Sequence, residues 1–115
     1  MSRHDDRVIT RQILDHAQEA IELAKDKSRR DLDTDRVLSL ALTRLLEIIG
    51  EAASRASPGY QAAHTTVPWA QIVALRNRLI HGYDIIDFDM MWEIIQHDLP
   101  ELVIATKTIL GIGEE

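Results

Sequence analysis

Apolar residues recur at three- and four-residue intervals through most of this chain, and the places where that rhythm fails divide it into four long segments. Ile9, Ile13, Ala17, Ala20, Ile21 and Ala24 form one stripe and predict a first helix from about Asp5 to Lys27. Ser2 followed by Asp5 resembles a capping box, Asp5 and Asp6 suit the positive end of the helix dipole, and Lys25 and Lys27 suit the other end. "SRRDLDTD" then breaks the period and offers Asp33 and Thr34 as caps. A second helix follows from about Asp35 to Ser57, stopped by "SPGY". Its apolar set is wide: Val37, Leu38, Leu40, Ala41, Leu42, Leu45, Leu46, Ile48, Ile49, Ala52, Ala53 and Ala56. One neighbour cannot cover so broad a surface, so this helix is expected to be central in the molecule and to turn a second face to another chain.

The third segment is "TTVPWAQIVALRNRLIHGY", read as one helix with Pro68 in its first turn and Gly82 just beyond its end. Trp69, Ile72, Val73, Leu79 and Ile80 make its buried stripe. The fourth begins near Asp87, a candidate N-cap, and carries Phe88, Met91, Trp92, Ile95, Leu99, Leu102 and Val103. Pro100 lies inside this pattern and predicts a kink near Gln96 to Leu99. The expected fold is all-α, an up-and-down bundle of four main helices with a kinked last helix, forming one domain over residues 1–115.

Composition agrees with that picture. The chain is 45% hydrophobic and 28% charged, with only five glycines and three prolines to interrupt helices. It has no cysteine, which excludes disulfides and thiolate metal sites. No signal-like or membrane-length apolar run occurs, so a cytoplasmic protein with no membrane partner is expected. The formal net charge of −6 argues against a general nucleic-acid binder. The average conceals a division, however. Residues 66–83 hold two arginines and no acid, whereas residues 84–115 hold eight acids and one lysine.

The positive stretch contains "RNRLIHGY", where Arg76, Asn77, Arg78, His81 and Tyr83 crowd together. On one continuous helix, Asn77 and His81 would share a line of the surface, and Arg76 would lie partly on the buried side beside Ile72 and Ile80. Arg76 and His81, five apart, would point about 140° from each other, unless the backbone turns at His81 or a second copy supplies one of them. These residue types suit RNA cleavage without a metal or cofactor. A neutral imidazole can take the proton of a ribose 2′-OH, and a guanidinium can stabilise the charge that gathers on the phosphorane oxygens. Asn77 would orient the phosphate or the ring, Tyr83 would donate to a phosphate or stack on a base, and Arg78 is a further candidate for contact with RNA phosphate. Plainer roles stay open. Arg76 suits an ion pair with Glu47 or Glu51, His81 suits the negative end of a helix, and Tyr83 suits a cover for the core.

With their flanks, these residues resemble a known family. "LEIIGEAASR" (46–55), "VPWAQIVALRNRLIHGYD" (67–84) and "MWEIIQHDLPEL" (91–102) are similar to the HepT-type toxins of the HEPN superfamily. The family motif is Arg, four residues, His, one residue, Tyr, matched here by Arg76, His81 and Tyr83 with Asn77 in the polar position after the Arg. The resemblance implies a HEPN-like helical homodimer whose two motifs line one cleft, acting as a metal-independent endoribonuclease. It further implies the toxin of a prokaryotic type VII toxin–antitoxin system. The partner would be an MNT-type nucleotidyltransferase antitoxin that silences it by transferring AMP to Tyr83. Two rival readings carry the same residues: a non-catalytic helical dimer that binds or regulates the nucleotidyltransferase, and a bundle that only holds a nucleotide phosphate.

Overall fold

Four helical stretches form as the periodicity predicts, but only the first two are unbroken. The computed structural model describes residues 3–81 and 85–112 of the chain. Helix α1 spans Arg3–Ala24 and buries Ile9, Ile13, Ala17, Ala20 and Ala24, together with Leu14 and Thr10. It stops short of Lys27 because Asp26 adopts a positive φ of 65°, a left-handed conformation in which the short side chain of Asp is better tolerated than most and which ends the helical path. Ser2 lies outside the described residues. A single helical turn, α2 (Asp31–Thr34), follows and seats Leu32 in the core.

Helix α3 spans Arg36–Ser54. Its cap is Asp35, whose carboxylate accepts from the Leu38 N–H at 3.0 Å. Asp33 and Thr34, the caps expected from sequence, belong instead to the preceding turn. Leu38, Leu42, Leu45, Leu46, Ile49, Ala52 and Ala53 are buried, and α3 contacts α1 on one side and the third segment on another. Val37 and Leu40 remain 78% and 53% exposed. The helix is therefore both central and partly uncovered, as its broad apolar set implied.

Helix α3 ends at Ser54, three residues short of the expected Ser57, and "SPGY" instead starts a short helix, α4 (Pro58–Ala63). Ser57 caps it by accepting from the Tyr60 N–H at 3.3 Å. Asp6, read from sequence only as a dipole partner, is buried and accepts from the Ser57 N–H at 2.9 Å and its hydroxyl at 2.7 Å. This carboxylate ties the start of α1 to the end of α3, and its burial is offset by two donors.

The third segment departs most from expectation. It is not one helix but two short ones, α5 (Trp69–Val73) and α6 (Leu75–Leu79), separated at Ala74. Trp69, Ile72 and Leu79 are buried as expected and Leu75 joins them on the same line, whereas Val73 is 41% exposed and Ile80 is half-buried. Pro68 stands at the N-cap, one position earlier than its expected place in the first turn. The helix then ends at Leu79, because Ile80 turns to extended backbone (φ −103°, ψ 117°). Ile80–His81 forms strand β1, paired antiparallel with β2 (Ile85–Ile86) in the register Ile80↔Ile86 and His81↔Ile85.

The last segment is continuous but changes pitch. Helix α7 (Phe88–Glu93) runs into a π-helical turn at Ile94–Asp98, and α8 (Leu99–Leu110) completes it. The widened turn falls where Pro100 predicted a kink. A proline lacks the N–H and crowds the carbonyl four residues back, here Gln96, and a π turn relieves both. The added residue also lets Ile94 and Ile95 both reach the core beside Met91 and Leu99. Gly111, with φ 74°, closes α8. Arg29 fastens the α1–α3 connection to α7, bonding Asp89 at 2.7 Å with Asp33 at 3.2 Å on its other side. Donation to Asp89, then to Asp33, raises the Arg29 guanidinium pKa further above its already high range.

Candidate active site

The hairpin exists because Leu79, Ile80 and Ile86 are apolar and the acids and glycine around them are not. Leu79 is fully buried and anchors the end of α6, while Ile80 and Ile86 pack against the core from β1 and β2. The Asp87 N–H donates to the Leu79 carbonyl at 2.7 Å, closing the ladder next to the register pairs. His81 consequently projects from a strand and not from the last turn of a helix. Its expected alignment with Asn77 along a helix surface does not occur, and the helix-terminus role for the imidazole is removed with it. The turn of backbone near His81, needed to bring it toward Arg76, is present.

Arg76, Asn77 and His81 all face solvent; Arg76 is 66% and His81 59% exposed. Arg76 is thus not on the buried side. Its Nε lies 3.6 Å from Glu47 Oε2 on α3, one of the two partners anticipated for it, and Arg44 reaches the other oxygen of Glu47 at 3.7 Å. Glu47 is only 22% exposed, but the arginine is 66% exposed and the separation is long, so the guanidinium can exchange Glu47, which keeps Arg44, for a phosphate at small cost. Glu47→Gln is expected to change unfolding free energy by less than about 0.5 kcal/mol in urea titrations, because it removes only screened surface attraction.

Arg78 is placed differently. It points to the last segment, 3.6 Å from Asp98 Oδ2 and 3.4 Å from Met90 Sδ, and borders a cavity of ≈270 Å³ between α5–α6 and α8. This is a brace between the motif segment and the π turn, on a different side of α6 from Arg76. Tyr83 lies outside the described residues.

A second hollow, ≈430 Å³, lies beside the motif, with Arg36, Thr43, Glu47 and Arg76 on its polar wall and Leu40 and Phe88 among its apolar residues. Its two guanidiniums outnumber its one carboxylate, Glu47, which makes it electropositive in an otherwise acidic protein and a suitable approach for a phosphate chain. No hydrogen bond or ion pair joins Arg76 to His81 among the described residues. Each is held by its own carboxylate, Arg76 by Glu47 and His81 by Asp87, whose Oδ2 lies 3.5 Å from Nε2. Sequence reasoning recognised Asp87 as a helix cap but missed its approach to His81. The only signal was its position directly after the short apolar pair Ile85–Ile86, which a hairpin folds back onto the motif.

The family model described as "Ribonuclease HepT-like" matches residues 13–109. The provisionally named RNase MJ1380 of Methanocaldococcus jannaschii is 35% identical over 102 residues, covering 89% of this chain and 94% of its own. The provisionally named RNase TTE0752 of Caldanaerobacter subterraneus subsp. tengcongensis is 39% identical over 98 residues, covering 85% and 88%. A Thermococcus cleftensis protein, named as probable ribonuclease HepT, is 33% identical over 93 residues, covering 77% and 84%. No solved structure gives a significant match.

Proposed function

This chain belongs to the HepT-like ribonuclease family, and from that premise we propose that it is a homodimeric endoribonuclease cutting RNA without a metal. The imidazole of His81 takes the proton from a ribose 2′-OH as the 2′-oxygen bonds to the adjacent phosphorus. The bond from phosphorus to the 5′-oxygen then breaks, and protonated imidazole returns the proton to that leaving oxygen. The products are a 2′,3′-cyclic phosphate and a 5′-hydroxyl. Arg76 neutralises the charge that builds on the non-bridging oxygens, and Asn77 orients the phosphate. The observation that carries this reading is the exposure of both Arg76, on the wall of the hollow, and His81, on the strand that follows it, each beside one carboxylate.

A dimer answers two features at once. Val37, Leu40 and Ile85 are exposed apolar residues on α3 and the hairpin, the two elements that flank the motif. A second copy packed there would cover them and bring its own motif to the shared cleft, so that Arg and His from the two chains could act on one phosphate. We place the protein as the toxin of a toxin–antitoxin pair. Its partner is an MNT-type nucleotidyltransferase, and AMP attached to Tyr83 would set a bulky anion against Arg76 and His81.

The competing reading, a non-catalytic dimer that binds the nucleotidyltransferase, draws on the same ion pairs. Arg76, Arg78 and His81 each already have a carboxylate partner. Incubating the unmodified protein with total cellular RNA in EDTA separates the two. Cleavage leaving 2′,3′-cyclic phosphate ends is expected. Intact RNA, with Tyr83 unmodified by mass, would favour the interaction module.

A further inference from the structure

Asp87 is restrained in both main chain and side chain. Its N–H donates to the Leu79 carbonyl at 2.7 Å, its carbonyl accepts from the Met91 N–H at 3.0 Å, and its Oδ1 accepts from the Met90 N–H at 2.9 Å. The first two bonds join the end of α6, the hairpin and the first turn of α7, and the third holds the carboxylate in its capping position. Oδ2 is left over. It stands 3.5 Å from Nε2 of His81, a diagonal neighbour across the β1–β2 ladder. The imidazole itself is mostly exposed, and this is the one ion-pair or hydrogen-bond partner found for its ring among the described residues. Nearby charges face elsewhere: Arg76 turns to Glu47, Arg78 to Asp98 and Asp89 to Arg29.

We propose that Asp87 is the positioning residue for His81, holding Nε2–H so that Nδ1 is the nitrogen presented to the RNA. A ring on a two-residue strand has no packing to choose its orientation. A carboxylate on one nitrogen supplies that choice, because a hydrogen bond at one ring nitrogen decides which nitrogen is left basic. The helix cap is the device that makes the carboxylate rigid. The role presumes the ribonuclease reading for its effect on rate, but the state of the ring is independent of it.

Asp, Asn and Ser are near-equal as N-caps, yet differ in what they offer the imidazole. Asp offers a charged acceptor, Asn a neutral one, and Ser is too short to reach. Asp87→Asn and Asp87→Ser should therefore melt with the parent. If capping is the whole role of Asp87, all three should also cleave RNA alike. Under the positioning role kcat falls in the order Asp, Asn, Ser, by about tenfold at the end of the series, with KM little changed. The ring is read separately by ¹⁵N-histidine correlation spectra above the imidazole titration, with His81 assigned from its loss in His81→Ala. The parent should show one tautomer protonated at Nε2, and Asp87→Ser the mixture of free imidazole. A pinned tautomer in a parent that cuts no RNA would retain the positioning role and sink the ribonuclease reading. Equal kcat in all three proteins, or an unpinned ring in the parent, would overturn the proposal. So would a slower Ser variant with an unchanged ring, which would make Asp87 a contact to RNA.

Discussion

His81→Ala is expected to lower RNA cleavage by at least about 100-fold, the usual worth of a general acid–base group, while the protein stays folded and its oligomeric state is unchanged. The two halves of this expectation rest on different observations. The loss of rate follows from the absence of any other described histidine in the motif segment to take the 2′-proton; His64 lies at the end of α4, stacked near Tyr60 with ring centroids 4.5 Å apart. Retention of the fold follows from exposure. The ring is 59% exposed and its one side-chain partner among the described residues is Asp87 at 3.5 Å, so its removal should shift the thermal midpoint by no more than about 2 °C. Cleavage rates on a defined RNA in EDTA, light scattering and a melt of both proteins together make the measurement. Parent-like cleavage by the variant would remove His81 from the chemistry, whatever became of Arg76.

How far the fold could be read from the sequence varies with how local its causes are. The stripes of α1 and α3 repeat over many turns, so their existence and buried faces were legible. Their ends were less so, because Asp26 and Asp35 act through single backbone angles and bonds that several nearby residues would equally suit. The third segment shows the limit of periodicity most clearly. Val73 and Ile80, seven apart, fit a helical stripe as well as Ile72, Leu75 and Leu79 do, and periodicity does not say which set is buried. The motif itself was visible as a spacing. Its geometry was not, since a five-residue interval from Arg76 to His81 was measured along a helix that ends at Leu79. The carboxylates beside it divide in the same way. Glu47 was one of two anticipated partners, while the approach of Asp87 depends on a hairpin that two pairs of residues form. Tyr83 lies outside the described residues, so its role rests on the family resemblance.

The position of the motif against α3 depends on a residue that no motif includes. Gly50 sits where α3 passes closest to the third segment, and a Cβ there would lie 3.1 Å from the Ile72 carbonyl oxygen, 3.7 Å from that of Val73 and 3.8 Å from Leu75 Cβ. The Ile72 carbonyl is part of the α5 backbone and cannot swing aside as the end of a side chain could. Alanine at position 50 would set a gain in helix propensity of about 1 kcal/mol against this contact, leaving a small net change. Valine adds two further methyls to the same gap and must push α5 outward. Gly50→Val is therefore expected to destabilise the protein by roughly 2–3 kcal/mol through overpacking, lowering the thermal midpoint by about 10 °C for a chain of this size. Arg76 rides on the displaced segment, four residues beyond Ile72, and Glu47 stays behind on α3. Cleavage should then fall even below the melting transition, with circular dichroism still showing a helical protein. A valine variant as stable and as active as the parent would mean that α5 can move without carrying Arg76, and that the electropositive hollow is set by the hairpin side alone.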